Sequence, residues 1–110
     1  QALIHAEYKC AADSRHTTFT TAQGVPYMEG HHLIPCTPAN ARHFWDTKGR
    51  NIDCESNIVC LCPTCHRQIH YGTHDEKKAL IEFLFNKQKA KLRSVGLDIS
   101  LEELWGLYDI

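Results

Sequence analysis

The 110-residue sequence predicts an α+β fold, with short strands and helices around a small core held by a bound metal ion. Three features carry that expectation. β-Branched and aromatic residues in TTFTTAQGVPYMEGHHLIPC, residues 17–36, surround a turn at Gly24 and Pro26 and read as a β-hairpin. Apolar Leu80, Phe83 and Leu84 recur at helical intervals among lysines. Between them lies CLCPTCHRQIH, residues 60–70, where Cys62 and Cys65 have the spacing of half a zinc site.

In chain order, the second hairpin strand runs from near Tyr27 to Leu33 and stops at Pro35. Thr37 and Pro38 open a short helix, and DTKGRN, residues 46–51, is a polar loop. NIVCLC is a small strand or extended segment. Pro63 opens a helix that carries His66 and His70 and closes at Gly72. A longer helix spans Asp75 to Arg93, its apolar positions in the core, and Gly96 interrupts it. Ser100, with Glu103 three residues on, caps a final short helix. The expected organisation is one domain over 1–110, with a zinc-stapled core at about 8–72 and helices at about 74–110 laid over it. The start at Gln1 fits a trimmed chain or a domain cut from a longer one.

Hydrophobic residues make up 43% and charged residues 23%, an ordinary globular balance. No apolar run reaches the length of a membrane span, and no charged-then-apolar leader opens the chain, so no membrane partner is expected. Six cysteines clustered near histidines then point to metal binding in a reduced, cytoplasmic compartment rather than to three disulfides. The net charge of −1 is low for a free-standing nucleic-acid binder and argues against autonomous tight DNA binding.

Cys62-Pro-Thr-Cys65-His66 has three chemical readings. Haem attachment needs export and a second axial ligand. A thioredoxin-type dithiol sits in a βαβ pattern, whereas a hairpin precedes this one. Zinc needs two further ligands: Cys10 is the natural third, and His16, six residues on, the fourth, with Asp13 as its substitute. Cys36, Cys54 and Cys60 have no matching spacing and read as packing residues.

His66 and His70, four apart on a helix, share one face and can share a metal or a phosphate. A metalloprotease would carry glutamate directly after the first histidine. Arg67 stands there instead, which argues against peptide hydrolysis and suits a phosphodiester as a bidentate anion donor. His31 and His32 are strand neighbours whose side chains leave opposite faces. A bulged strand end would let one hold a metal while the other faces water.

Taken together, YMEGHHLIPC, SNIVCLCPTCHRQIH and the Cys10 segment resemble the HNH endonucleases, whose core is a ββα-metal unit. The closer resemblance is to the branch found in modification-dependent restriction enzymes of the McrA kind, dense from Tyr27 to Gly72 and looser in the tail EKKALIEFLF. Many relatives hold zinc with two CxxC pairs; this chain has one. The resemblance implies that His32 is the general base and that His31 and His66 hold one divalent ion. His70 is then a third ligand or binds the scissile phosphate, and Asn57 holds the loop that orients the site. It implies DNA hydrolysis to a 5′-phosphate and a 3′-hydroxyl, with a structural Zn²⁺ and one catalytic ion among Mg²⁺, Mn²⁺, Ni²⁺, Co²⁺ and Zn²⁺.

Arg15, Lys48, Arg50, Arg67, Lys87, Lys89, Lys91 and Arg93 are the candidates for a DNA-facing surface. Their field is weak, so a targeting domain or a second protomer is expected to supply recognition of DNA, including modified bases. The alternative function is a zinc-stabilised module that binds DNA or protein without cutting.

Overall fold

The computed structural model describes residues 1–110. Its only sheet has two strands, β1 (Glu29–His32) and β2 (Ile58–Leu61), paired antiparallel with Glu29 opposite Leu61 and His32 opposite Ile58. Helices α1 (Ala2–His5), α2 (Pro38–Lys48), α3 (Pro63–Tyr71), α4 (His74–Ser94) and α5 (Leu101–Leu107) complete the α+β fold.

The predicted hairpin over 17–36 forms differently. Its turn closes, with Thr21 N–H donating to the Val25 carbonyl at 2.8 Å and Tyr27 N–H to Phe19 at 2.9 Å. Only one isolated bridge, Thr20 to Pro26, follows from it. Phe19 stacks on Tyr27 across this arm but stays exposed rather than entering the core, and Pro26 lacks a ladder donor. Strand β1 therefore pairs with the later segment NIVCLC, whose Val59, Cys60 and Leu61 are all buried.

Local chemistry sets the helix starts. Thr37, Thr73 and Ser100 each accept a backbone N–H three residues on, and Ser100 and Glu103 complete a reciprocal capping box. Such a cap is worth about 1 kcal/mol. Helix α2 runs through Asp46, Thr47 and Lys48, so it takes the first half of the predicted loop. It ends where Gly49 adopts φ +61°. Gly96, at φ +80°, ends the long helical stretch, and Arg50 fills the space a Cβ would need there.

Twenty buried residues form one contiguous core from Cys10 to Leu104. Helix α4 contributes Leu80, Ile81, Leu84, Phe85 and Leu92 to it. Phe83, expected in the core, is 48% exposed beneath the Lys87 ammonium, because the buried face runs through Ile81 and Phe85 instead. Trp105 Nε1 donates to the Lys78 carbonyl at 3.3 Å, which fastens α5 to α4 and brings Tyr108 to the end of β1. No helix is long and apolar enough to cross a membrane.

Candidate metal centres

Cys10, His16, Cys62 and Cys65 offer ligand atoms that all lie within 4.8 Å of one another. Cys62 is the N-cap of α3 and Cys65 lies in its first turn, so both thiols gather at the helix start. Ala11 N–H donates to the Cys60 carbonyl at 2.7 Å and pins the Cys10 segment beside β2. His16 Nδ1 stands 3.6 Å from the Cys62 sulfur and 3.4 Å from the Cys65 sulfur. Ligands around a tetrahedral zinc, with Zn–S and Zn–N lengths of about 2.3 and 2.1 Å, lie about 3.6 Å apart. The donor set is thus compatible with zinc in kind, number and spacing.

Asp13 does not join it. Its carboxylate takes two hydrogen bonds from the Arg15 guanidinium, which hold it far below the usual carboxylate range, and it reaches only the outer nitrogen of His16, at 3.8 Å. Burial would raise the Cys10 thiol, but hydrogen bonds from the Cys62 and Asp13 backbone, from His16 and from the Ala12 backbone outweigh it and bring it down to about 7. Burial, then the Cys62 contact, pushes Cys65 up. Burial also raises Cys60, to about 11, so this thiol stays protonated in the core. Cys54 is half-buried against the core, as a packing residue should be. Cys36 is exposed, against its reading as a packing residue, because it follows Pro35 out of the buried Leu33–Ile34 pair.

The second centre joins His31 of β1 to His66 and His70 of α3, again within 4.8 Å. The Nε2 atoms of His66 and His70 face each other at 3.2 Å. Two imidazole nitrogens on one cation at about 2.1 Å sit roughly 3.0–3.4 Å apart, so this is the spacing of shared ligation. The other nitrogens of His66 and His31 are engaged in a way that fits. His66 Nδ1 donates to Glu29 at 2.9 Å, which leaves Nε2 with the lone pair. The Tyr108 hydroxyl donates to the Leu33 carbonyl at 2.6 Å, so it must accept from His31 Nε2, at 2.8 Å, and His31 Nδ1 is left free. Burial, then the charges of His66, His70 and His32, brings His31 down to about 3, and the ring is neutral at any working pH. Burial, then His66 and Lys77, lowers His70.

His32, next along the strand, leaves the other face, and its Nε2 lies 2.8 Å from Asp53. Asn57 is fully buried and spends its amide on backbone. Its Oδ1 accepts from Ile34 N–H at 2.8 Å, while Nδ2 donates to the Ile34 and Ile52 carbonyls at 3.0 and 2.8 Å. Arg67 is exposed on α3, one residue past His66. Glu29, Asp53 and Tyr108 went unnoticed in the sequence. Strand alternation would have put Glu29 on the His31 face, two residues away; no local pattern marks Asp53 or Tyr108.

Two short strands, a following helix and a pair of metal-compatible clusters at its first two turns define a small domain of the ββα kind. The HNH endonuclease family model matches residues 10–73, and the chain belongs to that family. It is also 36% identical over 76 residues to the type IV methyl-directed restriction enzyme EcoKMcrA of Escherichia coli strain K12. That match takes in 69% of this chain but spans only 23% of the relative's length.

Proposed function

We propose that the chain is the DNA-cleaving domain of a modification-dependent restriction enzyme. It hydrolyses phosphodiester bonds with one divalent ion at the imidazole centre, while Zn²⁺ at the thiolate centre holds the fold. The strongest support is the meeting of His31, His66 and His70, with two Nε2 atoms 3.2 Å apart, in a chain of this family. His31, His66 and His70 would hold the ion, whether Mg²⁺, Mn²⁺, Ni²⁺, Co²⁺ or Zn²⁺, and it would supply Lewis-acid stabilisation of charge on the scissile phosphate and the leaving 3′ oxygen.

The side chains do the rest. With the Asp53 carboxylate as acceptor, His32 Nε2 carries the ring proton and Nδ1 has the lone pair that takes a proton from the attacking water. Asp53 then stabilises the imidazolium that results. Asn57 braces the 33–34 and 52 backbones beneath His32, which suits the loop-holding part its position has in the family. Arg67 offers a planar fork to the phosphate beside the cleavage point.

Targeting belongs elsewhere in the protein or to a second protomer. Arg15 is paired with Asp13, Arg93 lies 3.5 Å from Asp98, and the Lys48 and Lys87 ammonium groups donate to the Asp98 and Ala11 carbonyls, so half of the eight basic candidates are engaged within the chain, whose net charge is −1. The methyl-directed activity named for the E. coli relative supports a modified base as the feature read.

Plasmid cleavage tests this reading. Wild-type protein is expected to nick DNA with Mn²⁺ or Mg²⁺. His32→Ala should lose about 10²–10⁴-fold of that rate while keeping its fold and zinc content. Unchanged cleavage by His32→Ala removes it from the mechanism. Cleavage absent with every ion would leave a zinc-stabilised binding module.

A further inference from the structure

A third cluster shares no residue with either centre. His32, Cys36 and Asp53 bring a nitrogen, a sulfur and an oxygen donor within 4.8 Å of one another. We propose that these three side chains form an exposed site for a thiophilic divalent ion such as Zn²⁺ or Cd²⁺, and that its occupation shuts off cleavage. The control of cleavage rests on the role given to His32 above; the binding of the ion does not.

The donors fit the ion. Imidazole, thiolate and carboxylate are the three ligand types zinc takes, and three protein ligands with one open position make an exchangeable site rather than a closed structural one. His32 Nε2 and Asp53 Oδ1, 2.8 Å apart, already share a proton that a cation can replace. Zinc ligands lie about 3–4 Å apart, so the longest separation in the trio closes with small rotations of exposed side chains.

The backbone beneath is fixed on both sides, which separates this trio from a chance grouping of surface residues. Asn57 ties Ile34, which lies between His32 and Cys36, to Ile52, which precedes Asp53. The Pro35 carbonyl accepts from Thr37 N–H at 2.9 Å and from Asn40 Nδ2 at 2.9 Å, and so anchors the chain entering Cys36. Asp53 N–H donates to Asn51 Oδ1 at 2.9 Å, and fully buried Ile52 anchors the loop below. These bonds hold the backbone of both loops in place beneath the donors, and preorganisation of that kind removes part of the entropic cost of binding.

Occupation has a defined effect on the base. An ion on His32 Nε2 displaces the proton there. The ring's single proton then resides on Nδ1, and no lone pair is left to accept one from water. The Cys36 thiol releases its own proton to solvent as it binds.

Alkylation of Cys36 tests the site without reference to activity. In the zinc-loaded full chain, iodoacetamide should modify exposed Cys36 quickly, and added Zn²⁺ or Cd²⁺ should slow that reaction. Peptide mass spectrometry reads the rate, with Cys54 as the internal control. His32→Ala and Asp53→Asn should each raise the half-protecting ion concentration by about tenfold or more. A Cys36 rate indifferent to the ions, or protection that neither variant weakens, overturns the site. Nicking in Mg²⁺ is then measured with and without excess Zn²⁺. Zn²⁺ can also replace Mg²⁺ at the imidazole centre in either protein, so the ratio should fall further in wild type than in Cys36→Ser; equal ratios in the two overturn the control of cleavage. A protein that shows protection but cuts with no ion supports the site and counts against the nuclease reading instead.

Discussion

One helix serves both candidate metal centres, yet the two ends of its first two turns differ in almost every physical respect. The thiolate centre takes Cys62 and Cys65 from the start of α3, both buried, and closes with Cys10 and His16 into four donors. The imidazole centre, one turn on, takes His66 and His70, keeps His70 exposed, and gathers only three donors. A filled tetrahedron of soft ligands has no place for substrate. Three imidazoles leave coordination positions open. The contrast teaches that the first ion would be part of the fold and the second part of the chemistry, although a single 9-residue helix orients both.

The largest expected effect breaks the first centre. Three of its donors are buried cysteines that belong to the contiguous core, and the centre joins the Cys10 segment to the start of α3. Cys65→Ser should abolish cooperative thermal unfolding, because metal binding in small domains contributes on the order of 10 kcal/mol to folding. His66→Ala, one residue away, should leave zinc stoichiometry and cooperative unfolding in place. Calorimetry with metal analysis on the two variants checks this. A Cys65→Ser protein as stable as His66→Ala would mean that the thiols are mere core and that the centres do not divide the work.

Much of this was legible in the sequence, for reasons that differ by residue. Thr37, Thr73 and Ser100 are local caps, and local rules placed α2 and α5 well; α4 runs close to the expected span. The grouping of Cys10 and His16 with Cys62 and Cys65 followed from ligand chemistry, since few residues could complete a CxxC pair. Strand pairing was another matter. Residues 29–32 pair with 58–61 across α2, and β-propensity cannot tell a near partner from one that is distant in sequence. The supporting residues were hidden for the same reason. Tyr108 reaches His31 across 77 positions, by way of two helices whose own contacts lie elsewhere.

A smaller effect sharpens the comparison at the imidazole centre. Glu29 accepts from His66 Nδ1 and from the Tyr27 hydroxyl, and these two bonds, Tyr27 first, hold its carboxylate below the usual range. Its charge makes His66 Nε2 a stronger donor. Glu29→Gln keeps the shape and loses the charge, so the imidazole centre should bind its ion more weakly by about 10- to 100-fold. The thiolate centre should not notice. Titration with Co²⁺ separates the two, because thiolate ligands give sulfur-to-metal charge-transfer bands that imidazoles lack. Loss of the thiolate bands in Glu29→Gln would show that the centres are coupled through α3 rather than independent.

The smallest expected effect comes from the far end of the chain. Tyr108 is the residue through which α5 touches the imidazole centre, and its hydroxyl hydrogen is committed to the Leu33 carbonyl at 2.6 Å. Burial raises its pKa, so the hydroxyl stays protonated and the direction of both hydrogen bonds is fixed. Tyr108→Phe removes the acceptor for His31 Nε2–H and lets the ring proton sit on either nitrogen. Holding Nδ1 free would then cost part of the binding energy of the ion. The expected loss in affinity is about tenfold, at the lower end for a supporting contact, with about 1 kcal/mol lost in stability for the hydroxyl's bond to Leu33. A merely structural role would give the stability loss alone. If ion affinity at the imidazole centre is the same in Tyr108→Phe as in wild type, then His31 is held in its tautomer by the metal itself, and the tail is a cover for the site rather than part of it.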